Sequence, residues 1–420
     1  MWVVTQAARR QESCRLVFVG EDGDLYQTGL PRSADAGAVV AGKRAGVPRA
    51  RRLTWGWDGG TDGRLYYVWP SYSPDGSLVA CFGVRPGDGA EPEAGLYAVT
   101  EDGVSMHELW RTAGAAPICE SWSPDSSRIA LLLQAEEGLR LELADVRRPG
   151  ETVVVERGSP LFWSWSPAAN LLAVHTGGSG SVYEDARLAI FDTRERCERI
   201  AVLPPGEFRT PAWSPDGRRL AYVDAGADGR EVLAIYRLDD SVSEIVQPVE
   251  GHSAMLWSPD GRYLAISQAL GETPHLFTGI NLVDVRRGRS EVVSDDNVVS
   301  FFWSPCSRKL LSLSFSEDGG MQWSSLDVQG PRQTLEARFY PSRELVYFCW
   351  FFDQFAISHP LVSPDGSSLT FAGHVADRNG QKLEGESAVY VQSLLSRGRR
   401  NESVQATSVV GTRDSADVSQ

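Results

Sequence analysis

A single short motif recurs seven times along this chain of 420 residues. Each copy contains a Ser-Pro pair, most often followed by Asp and then Gly, and in five copies Trp precedes the serine. Successive copies are 43 to 59 residues apart, and their serines are Ser73, Ser123, Ser166, Ser214, Ser258, Ser304 and Ser363. A motif repeated at this period indicates a chain built from similar supersecondary units rather than from separate domains.

The motif has the composition of a tight turn between two strands. Proline sets φ at the first central position, aspartate can bond to its own backbone, and glycine accepts a positive φ at the exit. The segment after each turn is short and apolar on both faces, as in residues 78–82, 129–133 and 220–223. A continuous apolar run of this length is typical of a strand that is covered on both sides.

Two further strand-like segments follow in every unit, and the last of them is more polar. One unit therefore comprises an inner strand, the Ser-Pro turn, a buried strand, a third strand and an outer strand. Four-stranded units of this length predict the blades of an all-β propeller, in which neighbouring blades cover both faces of each sheet. The Trp before the serine would then lie as an aromatic wedge between blades.

An additional unit without the Ser-Pro pair precedes the seven others. Residues 15–19, 24–28 and 51–54 match its second, third and outer strands. We therefore predict eight four-stranded antiparallel blades in one propeller domain over residues 1–395, with seven blades as the alternative. The inner strand of the first unit would come from residues 2–5 or from residues 408–411, and the second option would close the ring. Residues 396–420 are predicted to be a mostly disordered tail, apart from such a closing strand.

The Trp-Ser-Pro-Asp-Gly turn with its apolar strand resembles the TolB-like, WD-repeat-like β-propeller family, from about Arg15 to Leu395. The resemblance implies the fold but no single function. Members include protein-interaction scaffolds, the propeller halves of serine peptidases, and lyases that hold a metal in the central channel. Three copies depart from the pattern, at Ala168-Ala169, at Cys306-Ser307 and at Val362 in place of Trp. We expect these to remain turns with fewer hydrogen bonds.

Charge and hydropathy exclude several classes of protein. The net charge of −14 argues against a general nucleic-acid binder and against adhesion to an anionic membrane. No apolar stretch is long enough to predict a transmembrane helix. The N-terminus lacks the pattern of a signal peptide, which favours the cytoplasm, or an extracytoplasmic location if the start omits a leader. The six cysteines form no CxxC pair and no disulfide framework.

The sequence contains no recognisable catalytic motif, and we therefore predict no catalytic residue, no metal site and no cofactor. A Gly-x-Ser-x-Gly elbow is absent, and the glycine-rich segment 177–181 contains no lysine. The six histidines have no metal-binding spacing. His252 and His359 each shortly precede a Ser-Pro motif, which places them near the mouth of the channel, and Arg209 is the cationic candidate there.

The connection over residues 339–359 is the most unusual segment, because eight of its 21 residues are Phe, Tyr or Trp. It joins an outer strand to the next inner strand, on the face that also carries the loops between second and third strands. It would either plug the channel or present a binding patch. If the connection is a binding patch, the candidate binding residues are Trp350, Asp353, Gln354 and His359. The loops of this face are acidic, which would serve solvation or attract a basic protein.

These features favour a non-catalytic scaffold that binds a protein or peptide partner through its top face and channel mouth. We expect no nucleic-acid partner and no membrane insertion, and favour a monomer. The alternative is a channel-site enzyme, such as a metal-assisted lyase or hydrolase, or a ligand sensor that acts on a partner in trans.

Overall fold

The computed structural model describes residues 5–6, 14–20, 22–29, 50–56, 64–85, 93–112, 114–168, 170–178, 185–271, 273–330, 333–375, 388–394 and 407–408. Of the predicted tail from residue 396 onward, only residues 407–408 belong to the described residues, and residues 2–4 lie outside them.

The described strands form seven antiparallel sheets, numbered here with the repeat units from the N-terminus. The sheet of unit 1 contains β1 (Thr5–Gln6), β2 (Arg15–Val19), β3 (Leu25–Gly29) and β4 (Arg51–Arg52). The sheet of unit 2 contains β5 (Tyr66–Tyr72), β6 (Leu78–Arg85), β7 (Glu93–Thr100) and β8 (Met106–Thr112). The sheet of unit 3 contains β9 (Ala116–Trp122), β10 (Arg128–Ala135), β11 (Gly138–Asp145) and β12 (Thr152–Gly158).

The sheet of unit 4 contains β13 (Leu161–Trp165), β14 (Leu171–Thr176), β15 (Arg187–Asp192) and β16 (Glu198–Leu203). The sheet of unit 5 contains β17 (Ala212–Trp213), β18 (Arg219–Asp224), β19 (Val232–Arg237) and β20 (Val242–Pro248). The sheet of unit 6 contains β21 (Ser253–Trp257), β22 (Tyr263–Leu270), β23 (Thr273–Asp284) and β24 (Arg289–Val298).

The seventh sheet holds strands of the last two units. Unit 7 contributes β25 (Ser300–Trp303), β26 (Lys309–Phe315), β27 (Met321–Asp327) and β28 (Gln333–Pro341). The sheet continues into β29 (Ser368–Val375), β30 (Ala388–Ser393) and β31 (Thr407–Ser408), because the end of β28 pairs with the end of β29. The fold is thus an all-β propeller of four-stranded antiparallel blades, with seven separate sheets.

The two ends of the chain meet in this arrangement. Leu16 and Phe18 of β2 pack against Ala372 of β29 and against Val389 and Val391 of β30. Inside the first sheet, β1 pairs with β2 and occupies the inner position, and Thr5 is the one described residue of the first option for that strand. Residue 408 of the second option belongs to β31, which pairs with β30 at the edge of the seventh sheet, and residues 409–411 lie outside the described residues.

The Ser-Pro turns are held by a repeated set of hydrogen bonds. In unit 5, the Ser214 hydroxyl accepts a bond from the backbone N–H of Arg219 over 3.0 Å and donates to Asp216 over 2.5 Å. The Asp216 carboxylate also accepts the backbone N–H of Arg218 over 3.1 Å. The same three bonds recur in the turns that begin at Ser73, Ser123, Ser258 and Ser363.

In units 3, 5, 6 and 7, the Trp of the motif links the blade to the one before it. The indole N–H of Trp213 donates to the carbonyl of Ser164 over 3.0 Å, and Trp257 donates to Ala212 over 2.9 Å. Trp303 likewise donates to Leu256 over 3.0 Å. In each case the accepting carbonyl belongs to the residue directly before the motif Trp of the preceding unit. The predicted wedge therefore also donates an interblade hydrogen bond.

Two of the three departing turns lose some of these bonds, as expected, whereas the turn after Val362 keeps all three, contrary to the expectation. Ala168 leaves the buried Ser166 hydroxyl without a described partner. In unit 7 the Ser304 hydroxyl lies 3.5 Å from the Cys306 sulfur, which stands in the place of aspartate. Ser126 and Ser307 replace glycine at φ of 60° and 59°. Each hydroxyl accepts a backbone N–H of the preceding motif, from Asp75 and from Asp260 respectively, and this bond offsets the backbone strain.

Candidate functional site

The aromatic connection between units 7 and 8 contains two short helices, α1 (Arg343–Trp350) and α2 (Phe352–Phe355). We call residues 342–359 the plug, and the side of the propeller that carries it the plug face. Strand direction puts the loops between second and third strands on the plug face as well. The Ser-Pro turns lie on the opposite side, here called the turn face.

The local sequence explains why α1 forms here. Ser342 is extended, with φ of −70° and ψ of 159°, and its hydroxyl accepts the backbone N–H of Leu345 as an N-cap. Glu344 places a negative charge in the first turn, where the helix dipole favours it. Leu345, Phe348 and Cys349 are buried together, since residues three and four apart share one helix face.

The inner side of the plug packs into the end of the channel. The ring of Phe352 lies 4.9 Å from Phe301 and 5.8 Å from Phe277, on units 7 and 6. The ring of Phe355 lies 4.8 Å from Trp69 and 5.9 Å from Phe162, on units 2 and 4. One short segment therefore contacts blades around most of the ring. This packing fits the plug interpretation of the aromatic connection.

His359 lies at the base of the plug and is fully buried. Its ring is 5.0 Å from Trp69, and its Nδ1 atom is 2.9 Å from the Ser358 hydroxyl. Burial lowers the pKa of His359 to about 3, so the imidazole is neutral at physiological pH. Trp69 itself has a φ of 57° next to an irregularity in the pairing of β5 with β6. His359 thus acts in the packing below the plug, away from the solvent-exposed mouth.

Arg209 is also buried, inside a polar cluster between units 4, 5 and 6. Its guanidinium donates to Glu207 over 2.8 Å and to the carbonyl of Gly251 over 2.8 Å, and Glu231 lies 3.6 Å away. Nδ1 of His175 lies 2.9 Å from the Arg209 carbonyl oxygen. Burial lowers the pKa of His175 to about 4. These contacts connect three consecutive units below the plug.

Asp353 of α2 faces this cluster. Burial raises the pKa of its carboxyl to about 6, while the Thr210 hydroxyl and the positive charge of Arg209 act in the opposite direction. His252 adjoins Gly251, and its ring lies 6.1 Å from Phe277. Gln354 is half-buried in α2. The structure therefore brings Arg209, Asp353 and His252 to one region and leaves His359 beneath another part of the plug.

Trp350 differs from the other predicted site residues, because 41% of its surface is exposed. Tyr347 on the same helix is 46% exposed, and Ile357 beyond α2 is 78% exposed. The plug thus buries one apolar side and presents a second one to solvent. Among the described residues, every strongly exposed aromatic side chain lies on the plug face: Trp55, Tyr66, Phe315, Tyr347 and Trp350.

Sequence analysis did not identify Glu120, an acidic residue buried in β9. Its carboxyl accepts a hydrogen bond from the Ser71 hydroxyl, while Oε2 has no described partner. Burial raises its pKa to about 8, so the group holds a proton at neutral pH. The only available signal was a charged residue three positions before a Ser-Pro serine, where other units carry Pro, Trp, Met or Phe.

The described residues offer neither a metal site nor a membrane-spanning helix. They contain no group of three or more His, Cys, Asp or Glu side chains that could bind a metal ion. Within the same ranges, no helix is both long enough and apolar enough to cross a membrane.

No known family model and no curated protein matches the chain. Among solved structures, it resembles one from a study of two prolyl endopeptidases, with a TM-score of 0.53 and 13% identity over 94% of this chain and 55% of that one. It also resembles an oligogalacturonate lyase in complex with manganese, with a TM-score of 0.50 and 16% identity over 74% and 85% of the two chains. A putative TolB from Agrobacterium tumefaciens aligns with a TM-score of 0.39 and 18% identity over 69% and 94%. At these identities the similarity concerns the fold alone.

Proposed function

We propose that this propeller is a non-catalytic scaffold that binds a protein or peptide partner through its plug face. The observation that carries the proposal is the two-sided packing of the plug. Phe352 and Phe355 fill the end of the channel, while Tyr347, Trp350 and Ile357 remain exposed on the outer side. Protein interfaces are enriched in Trp and Tyr at their centres, where these side chains supply most of the binding energy.

The predicted site residues have two roles in this proposal. Trp350 contacts the partner directly. The other candidates hold the plug and the surrounding connections in place. Asp353, His359, His252 and Arg209 lie in or against its inner side, and the half-buried Gln354 is part of α2. The same packing closes the plug-face end of the channel, so the alternative of a channel-site enzyme would need a substrate that enters from the turn face.

We also propose that β29, β30 and β31 are an eighth blade whose inner strand is reduced. Val362 forms an isolated bridge with Leu369, at the place where an inner strand would pair with β29. The packing of β29 and β30 against β2 supports this division of the seventh sheet.

A comparison of three proteins in a pull-down from native lysate tests the scaffold. These are the wild type, a plug variant with Tyr347→Ala and Trp350→Ala, and a turn-face control with Val104→Ala and Met106→Ala, whose side chains are also exposed. We expect a stoichiometric partner that the wild type and the control retain and the plug variant loses. Equal retention by all three would place the binding site elsewhere. A stoichiometric bound metal with no partner would favour the channel-site alternative.

A further inference from the structure

Exposed charged side chains lie beside the plug. We propose that the partner segment recognised at the plug face is basic, with Arg or Lys side chains that contact both the exposed aromatic rings and the carboxylates of units 5 to 7. This inference rests on the proposed function, because it specifies the chemistry of the partner at that same surface.

The plug face of units 5 to 7 carries a concentration of exposed carboxylates. They lie in the loops between strands or at strand ends: Asp228, Glu250, Asp295, Asp296, Glu317 and Asp318. They outnumber the exposed basic residues described on the same side of these units, which are Arg230, Arg338 and Arg343. Arg230 and Asp228 are only 3.9 Å apart and both exposed, so their pairing contributes little.

Topology places these carboxylates next to the plug. Helix α2 contacts β21 and β25, the inner strands of units 6 and 7. Glu250 precedes β21 by a few residues, and Asp295 and Asp296 lie near the end of β24, just before β25. Phe315, an exposed aromatic residue, ends β26, and Glu317 lies two residues further along the chain. Aromatic and acidic groups therefore share one edge of the plug face.

Basic side chains are the ligands that such an edge attracts. A guanidinium or ammonium group gains by lying over the face of Trp or Tyr, and carboxylates nearby add a second attraction. The protein already uses this chemistry internally, because the guanidinium of Arg219 lies 4.7 Å from the ring centre of Trp257. The overall charge of −14 would speed the approach of a basic segment at low ionic strength.

Fluorescence anisotropy with labelled peptides of defined charge tests the inference on the full chain. The probes are an alternating Arg-Gly peptide and an alternating Glu-Gly peptide of equal length. The plug-face variant carries Glu250→Gln, Asp295→Asn and Glu317→Gln. A turn-face control removes the same charge through Glu151→Gln, Glu195→Gln and Asp239→Asn, which are exposed. A third variant, Trp350→Ala, tests the aromatic contribution.

We expect the Arg-Gly peptide to bind the wild type and the turn-face control equally. Its affinity for the plug-face variant should fall about tenfold, and for Trp350→Ala about threefold. Equal affinity for both charge variants, equal binding of the Glu-Gly peptide, or no binding of the Arg-Gly peptide would overturn the basic-segment inference. Those results would not contradict the scaffold proposal, which the pull-down tests separately. A neutral or acidic partner that the variant with Tyr347→Ala and Trp350→Ala fails to retain would still support the scaffold.

Discussion

The tryptophans of the repeat show how one residue type can join neighbouring blades. Each Trp fills the gap between two sheets, and in units 3, 5, 6 and 7 its indole N–H bonds to the inner strand of the preceding unit. Unit 4 is the exception, because Nε1 of Trp165 is buried without a described partner. This exception supplies a natural reference for the contribution of the hydrogen bond.

Replacing Trp213 with Phe should cost about 1 kcal/mol more in the free energy of unfolding than replacing Trp165 with Phe. Both changes remove part of the indole ring, but only Trp213→Phe deprives a partly buried carbonyl, that of Ser164, of its indole donor. Urea denaturation of the two variants and the wild type gives the comparison. Equal losses would show that the indole contributes through packing alone.

Glu120 should make stability depend on pH. Its pKa is about 8 in the folded protein, above the ordinary value in the unfolded chain. The folded state therefore binds a proton that the unfolded state releases, so this contribution is complete at acidic pH and is lost as the pH rises toward about 8. Between about pH 5.5 and 8, the wild type should lose about 1–3 kcal/mol relative to Glu120→Gln. Denaturation at both values measures this, and a constant difference between the two proteins would contradict the assignment.

At the scale of the element, the sequence predicted strands and turns well because their signals are local. The Ser-Pro pair fixes the turn, and the apolar run after it marks a strand covered on both sides. The bonds at Ser214 and Asp216 are the ones that these residue types favour in turns.

The plug helices were not predicted, although the signal was present. Buried residues recur in the plug at Leu345, Phe348, Phe352, Phe355 and His359, a spacing close to the helical period. Ser342 supplies a cap in front of them. The abundance of aromatic residues obscured this period. Without the helical period, the sequence could not predict that Asp353 and His359 point inward. A helix, unlike a loop, fixes which side chains face the channel.

At the scale of the whole molecule, the count of units predicted a ring but not how the ring closes. Closure depends on contacts between residues more than 350 positions apart, such as Phe18 and Val389, and no local pattern encodes such a pair. The number of separate sheets also differs from the number of units, because an extended β28 pairs with β29 and merges two units into one sheet.

Adjacent residues of β2 allow a direct test of the closure. Phe18 is buried against Ala372, Val389 and Val391 of the last unit, whereas Val17 is buried in the cluster shared with unit 2. The alternation of side chains along a strand sends these two neighbours to opposite faces. Phe18→Ala should lower the free energy of unfolding by about 3–5 kcal/mol, and Val17→Ala by less, because it removes fewer buried atoms.

Hydrogen exchange distinguishes the two faces of β2. We expect Phe18→Ala to accelerate exchange in β29 and β30, and Val17→Ala to accelerate it in β5 and β6, because each strand loses the neighbour that covers it. If the last unit were not the ring's closing blade, Phe18→Ala would affect unit 1 alone. Faster exchange at the opposite end of the sequence would instead show that stability at the two termini is shared, as the proposed closing blade requires.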